Sequence, residues 1–248
     1  MATQRRRNGQ GNRKANPAEG EAVYQAILRA IMEGKLRAGT KLAEVPLARI
    51  FSVSRERIRK VLHRLGAEHR LEMIPNRGAR IPRPTMDDVN HVYEAHRALE
   101  AGVLVQLIRQ IDNALLARLD AHLIEERAAA ERGDRAASVR LSGAFHLLLV
   151  DTLGNPNLSR FLRDLLSRSS VMVSVYEAAT DSICAVDEHG AIVAALRARD
   201  VARAIEVSRE HFIHVQSRLR LDEAIPAEGD LDAVFAGVKP LRRRRARV

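Results

Sequence analysis

The sequence predicts a mainly α protein: an N-terminal winged helix-turn-helix followed by an antiparallel all-helical bundle. Three observations carry this reading. Residues 42–81 hold a helix, a break, an arginine-rich helix and a short basic hairpin, in that order. From residue 86 onward apolar side chains recur at helical spacing, and alternating β patterns are missing. Between these parts, Pro82 and Pro84 interrupt any helix, because proline removes a backbone donor and clashes with the preceding turn.

Taken in order, residues 1–18 form an expected disordered basic tail, and residues 19–82 the DNA-binding domain. A helix is predicted from Glu21 to Glu33, with Val23, Ile27, Leu28 and Ile31 on one face. Gly34 and Gly39 bracket a basic loop. The first helix of the motif shows apolar spacing at Leu42, Val45 and Leu47 to Ile50, and Phe51-Ser52-Val53 breaks it. Ser54 is a good N-cap, since its hydroxyl can accept an orphan backbone N–H. In the helix that follows, Ile58, Val61, Leu62 and Leu65 make one buried stripe, flanked by Arg55 and Arg59 on one side and Arg57 and Arg64 on the other. The runs LEMI and ARI are then joined by Pro75-Asn76-Arg77-Gly78, where proline fixes one φ and glycine permits another.

Residues 83–86 read as the linker, and Asp87 and Asp88 suit the positive end of the next helix. The helical domain spans 87–221, with helices predicted at 86–110, 112–132, 134–153, 157–178, 187–198 and 200–221. Breaks at Asp112-Asn113, Gly133-Asp134, Gly154-Asn155-Pro156 and Arg199-Asp200 are short, which implies antiparallel neighbours. Residues 222–248 read as an irregular basic tail.

The net charge of +10 is unevenly placed. Residues 1–14 carry five basic groups and residues 239–248 carry six, with no acid in either run. Residues 19–84 hold 14 Lys/Arg against 7 Asp/Glu, whereas residues 85–238 hold 16 against 24. A basic module joined to an acidic one assigns a polyanion to the first and something else to the second. The two tails are read as solvated charge runs that add non-specific attraction to phosphate. No run of about 18 apolar residues marks a membrane span, no apolar signal segment follows the N-terminal arginines, and a single cysteine, Cys184, excludes an intramolecular disulfide. A cytoplasmic protein without membrane contact is expected.

Three histidines lie on separate predicted helices: His146 in SGAFHLLL, His189 in DEHGAIVAAL and His211 in REHFIHVQSRL. Facing helices of a bundle can aim such side chains at one point, and three imidazoles suit Zn, Ni, Mn or Fe. His214 is one turn from His211, and periodicity alone does not choose between them. Arg97 and Glu100 are one turn apart and either pair with each other or leave Arg97 as a bidentate anchor for a carboxylate ligand.

GKLRAGTKLAE, LARIFSVSRERIRKVLHRL and IPNRGARI, followed by RALE, FHLLLVDTLGNPNL, EHGAIVAALRARD and EHFIHV, resemble the GntR family of bacterial transcription regulators. The subgroup is the one with an FadR-type all-helical effector domain (FCD). The resemblance spans about residues 21–221. It implies a dimeric repressor or activator on a double-stranded DNA operator, with Ser54, Arg55, Arg57, Arg59, Arg77 and Gly78 at DNA-contacting positions. Glu56 stands where the family commonly has a small polar residue, and Val45 where a phosphate-contacting one is common. The family's metal site commonly uses an Asp four residues before the FH histidine, plus three histidines; His146, His189 and His211 match the latter, but Ser142 stands at the Asp position. A three-histidine site completed by water remains, as does a metal-free pocket binding an acid through the histidines and Arg97.

The expected function is therefore a ligand-responsive regulator, a repressor by preference, whose helical domain senses a small carboxylate, with Arg97 and Ser142 at the ligand. An enzyme using a metal-bound water is disfavoured because the matched motifs place no carboxylate base. A non-specific nucleic-acid-binding protein relying on its tails is the remaining alternative.

Overall fold

The computed structural model describes residues 17–75, 77–177, 184–221 and 230–237. The basic runs at 1–14 and 239–248, and Asn76 of the expected turn, lie outside the described residues. The head begins with α1 (Pro17–Met32), which starts four residues before the sequence pattern placed it. Its apolar face of Val23, Ile27 and Ile31 is fully buried, each such side chain contributing about 1.5–3 kcal/mol. After a loop come β1 (Lys41–Leu42), α2 (Glu44–Phe51) and α3 (Arg55–Ala67), then the wing strands β2 (Glu72–Ile74) and β3 (Gly78–Arg80).

Leu42 corrects the sequence reading. It lies in a strand rather than in the first helix, because β1 pairs antiparallel with β3 and sets Leu42 opposite Ala79. Strand β3 is thus central, in the order β1-β3-β2. Val45, counted in the apolar stripe from sequence, is 57% exposed on α2. Ser54 caps α3 as expected, its hydroxyl accepting from the Arg57 N–H at 3.3 Å. Ile58, Val61, Leu62 and Leu65 form the buried stripe.

Six helices follow: α4 (Met86–Leu107), α5 (Asn113–Glu131), α6 (Arg135–Thr152), α7 (Pro156–Tyr176), α8 (Cys184–Arg197) and α9 (Val201–Ser217). Their starts are fixed by local chemistry. Thr85 and Asp88 close a capping box, each side chain accepting from the other's backbone N–H at 3.1 and 2.8 Å. Asp112, Asp134, Asn155 and Asp200, placed in helix breaks by sequence, are the N-caps of α5, α6, α7 and α9. Leu104, Leu107, Leu119, Phe145, Leu162, Ile192 and Leu196 build the bundle core.

The head does not stand apart from the bundle. Val139 of α6 and Val171 of α7 belong to the same buried cluster as the head's core. The Ser174 hydroxyl reaches Met32 Sδ at 3.6 Å. Part of the segment expected to be irregular is ordered as well: residues Leu231–Val234 form a short helix, α10, and Phe235 packs on Phe51 of α2 with ring centroids 5.1 Å apart. The reason is apolar: Phe235 is only 3% exposed there. No helix of the described residues is long and apolar enough to cross a membrane.

Candidate functional site

Helix α3 presents its arginines unequally. Arg55 and Arg59 are more than half exposed and share one acid, Glu44 of α2. Arg59 grips it in a two-bond fork at 2.7 and 2.9 Å, and Arg55 reaches it at 3.5 Å. The hydrogen bond from Arg59 holds the Glu44 carboxyl below the usual carboxylate range. Arg57 instead turns back to Glu19 of α1 and is 19% exposed, so it joins α1 to α3 rather than facing outward. The family resemblance set all three at DNA-contacting positions, although helical spacing put Arg57 on the opposite flank from Arg55 and Arg59; α1 packs against α3 on the Arg57 flank. Glu56 pairs with Lys60 one turn along and stays exposed.

In the wing, Arg77 is exposed at the turn. Gly78 is buried with φ +93°, and a Cβ on it would lie 2.4 Å from the Leu42 carbonyl oxygen. That glycine is required for the approach of β3 to the chain at Leu42, which is a packing role.

In the bundle, α6, α8 and α9 bring His146, His189 and His211 together, with one ring nitrogen from each within 4.8 Å of the others. All three are at most 3% exposed. Each Nδ1 is taken by a different carboxylate: Glu100 of α4 at 2.7 Å from His146, Glu126 of α5 at 2.9 Å from His189, and Glu188 of α8 at 2.7 Å from His211. This leaves Nε2 of each ring as the nitrogen free to act as a ligand. The Nε2 of His189 is buried and has no hydrogen-bond partner among the described residues. Such carboxylate–imidazole pairs fix ring orientation and raise ligand basicity.

Each carboxylate also meets a second imidazole. Glu100 lies 3.4 Å from His96, Glu126 3.7 Å from His122, and Glu188 2.8 Å from His214. His211 is therefore the inward residue of its pair, and His214, with a side chain 56% exposed, the outer one. Burial opposes the charge on Glu100 and Glu126, but the neighbouring imidazoles outweigh it and hold both carboxyls down at about 2. Burial pushes His211 down to about 3 and lowers His189 too, so these rings are neutral and able to donate a lone pair. The donor set fits a divalent metal of the Zn type.

A cavity of about 70 Å³ adjoins His146 and His211 and is lined also by Ser142, Tyr93, Glu177 and Arg218. Ser142 thus faces the site. Arg97 does not line the cavity: it points across to Gln216 of α9, donating to its side-chain oxygen at 3.2 Å. Nor is Arg97 the partner of Glu100, which turns inward to the histidines. Helical geometry explains both, since His96 and Glu100, four residues apart, share the buried face and Arg97 is rotated off it. Sequence reasoning missed Glu100, Glu126 and Glu188 as a set. The H-x-x-x-E spacing at His96–Glu100 and His122–Glu126 was the available signal.

Comparison with known proteins agrees with this architecture. Residues 19–81 match the bacterial regulatory proteins of the gntR family, and residues 91–214 match the FCD domain. The chain is 27% identical over 195 residues to the uncharacterised HTH-type transcriptional regulator YdhC of Bacillus subtilis, covering 77% of this chain and 86% of that one. It is 26% identical over 136 residues to the HTH-type transcriptional repressor RspR of Escherichia coli, covering 54% of this chain and 60% of that one. In fold it is similar to a putative GntR transcriptional regulator from Rhodococcus sp. RHA1, with TM-score 0.70, 18% identity, and 84% and 100% of the two chains covered. E. coli McbR/YncC is similar too, with TM-score 0.65, 18% identity, and coverage of 79% and 94%. The matched family and relatives are regulators, not enzymes. With a gntR-type DNA-binding head and an FCD effector domain in one chain, the protein belongs to the GntR family of transcriptional regulators.

Proposed function

We propose that the protein is a metal-dependent, carboxylate-responsive repressor that binds a palindromic operator as a homodimer. The observation that carries the metal is the set of three buried imidazoles, each with its Nδ1 against its own carboxylate so that Nε2 is left as the ligand atom. His146, His189 and His211 would hold a Zn, Ni, Mn or Fe ion, whose chemistry is to attract an anionic oxygen. With Ser142 in place of an acid, the protein contributes one fewer negative charge to the ion, which favours an anionic ligand.

The head supplies the DNA contacts. Arg55 and Arg59 are placed to read guanine edges in a major groove once Glu44 releases them, and Arg77 is placed for the minor groove or its phosphates. Ser54 caps the helix that carries the first two, while Arg57 and Gly78 support the reading surface from behind. Repression is the reading suggested by the relative RspR, a transcriptional repressor. Regulation is a population shift: the effector must bind one arrangement of the heads better than the other. The α1–α7 junction at Met32 and Ser174 is one physical connection from bundle to head.

Native mass spectrometry of the purified protein tests this reading, together with operator binding before and after adding the retained acid. Two chains, two metal ions and a retained carboxylate are expected, with operator release on adding that acid. A tightly bound ligand that leaves operator affinity unchanged would overturn it.

A further inference from the structure

Tyr93 of α4 is 1% exposed, and its hydroxyl has no hydrogen-bond partner among the described residues. A buried hydroxyl without a partner costs free energy that a phenylalanine there would avoid. Tyr93 lines the cavity beside His146 and His211, together with Glu177 and Arg218. Those two form a shielded ion pair at 2.6 Å, with side chains 3% and 16% exposed. Arg218 also lies 3.9 Å from Glu188, the acid that orients His211, so this end of the cavity is linked to the histidine cluster. Phe212 also lines the cavity, its ring 6.4 Å from that of Tyr93 and 5.1 and 5.0 Å from those of His146 and His211.

We propose that Tyr93 is a ligand-reading residue, whose hydroxyl acts with Glu177 and Arg218 to receive a hydroxyl group of the effector. The molecule sensed is then a short hydroxycarboxylate rather than a plain carboxylate. The inference rests on the carboxylate-sensing reading above and adds to it the chemistry of the far end. Tyr93 offers a donor and Glu177 an acceptor; a hydroxyl satisfies both, whereas a second carboxylate would be repelled by Glu177. The cavity of about 70 Å³ limits size. At about 10–15 Å³ per water-sized group it admits roughly five to seven such groups, the size of a three- or four-carbon acid with one hydroxyl. A site built around a hydrogen bond to a ligand hydroxyl discriminates strongly against the analogue that lacks it.

The test is isothermal calorimetry on the full-length zinc-loaded protein with pairs that differ by one hydroxyl: 3-hydroxypropionate against propionate, and 3-hydroxybutyrate against butyrate. The native sequence should bind at least one hydroxy acid about tenfold or more tighter than its partner. Tyr93→Phe should reduce that ratio to within about threefold while leaving the plain acid's affinity unchanged. Its ligand-free melting temperature should equal or exceed that of the native protein, since no described bond is lost. Equal affinity within each pair, or discrimination that survives Tyr93→Phe, would overturn the assignment while leaving carboxylate sensing intact. A lowered melting temperature of the ligand-free variant would overturn it too, by showing that the hydroxyl is already engaged. If no acid of either series binds the native protein, carboxylate sensing itself fails and takes this inference with it.

Discussion

The Glu126 carboxylate lies 2.9 Å from His189 Nδ1, and both side chains are at most 3% exposed. That contact turns the ring so that Nε2, which lacks a partner among the described residues, is left for an ion. Glu126→Gln keeps the size and an acceptor oxygen but removes the charge that makes the imidazole a better donor. Zinc affinity should fall by about 10- to 100-fold. Competition with a chromophoric chelator measures it, and an unchanged affinity would sever Glu126 from the proposed metal site.

The exposed and turned-back arginines of α3 should separate in experiment. Arg55→Ala and Arg59→Ala should each lower operator affinity by about 1–3 kcal/mol and relax sequence preference, read by fluorescence anisotropy. Arg57→Ala should act first on folding, lowering head stability by about 1 kcal/mol in thermal denaturation. A specificity change without a stability change at Arg57 would reverse that assignment.

Glu44 holds Arg55 and Arg59, the two arginines proposed to contact DNA. Glu44→Gln should tighten DNA binding and steepen its salt dependence, because two cations become free to displace condensed counterions. Titrations at several salt concentrations give the slope; a weaker complex would mean that Glu44 positions these arginines rather than restrains them.

Gly78→Ala places a side chain at φ +93° and 2.4 Å from the Leu42 carbonyl oxygen. The wing should lose about 1–3 kcal/mol of stability. Hydrogen exchange of the β1–β3 amides reports it locally, and normal protection there would show that the strands can shift apart at little cost.

All three tyrosines of the sequence should titrate late. Burial first, then the hydrogen bond to Glu68, raises Tyr24 from 10.0 to about 12; burial raises Tyr176 to about 12 and pushes Tyr93 up as well. The folded protein therefore stays protonated where the unfolded chain ionises, so stability is complete below pH 10 and is lost as pH rises from 10 towards 12. Near-ultraviolet absorbance of tyrosinate should appear only with unfolding in that window. A tyrosine that ionises near 10 in the native state would contradict this.

What the sequence made legible was what depends on neighbours along the chain. Ser54, Asp112, Asp134, Asn155 and Asp200 announce helix starts because capping is local, and helical spacing marks Ile58 to Leu65 as a buried face. The three histidines could be named because they fall on three helices of one bundle. Partners across space were not legible. Glu126 meets His189 only because α5 lies against α8, and Arg57 meets Glu19 only because α1 docks on α3. From sequence Arg97 read either as the partner of Glu100 or as a carboxylate anchor, yet one residue of helical rotation carries it to Gln216. Tyr93 gave no signal at all, since an aromatic on a buried helix face normally reads as core.

Phe235 supplies a wall of the head's core from the far end of the chain, and Arg49 meets Asp232 beside it at 2.5 Å. An isolated head ending at Pro84 would therefore present Phe51 to water with its cover gone. A protease nick between α9 and residue 230 would leave both domains joined yet unclasp α2, the helix that holds Glu44 against Arg55 and Arg59. DNA affinities taken from a trimmed head would thus describe a looser reader than the whole chain, and intactness far downstream becomes part of how this protein meets its operator.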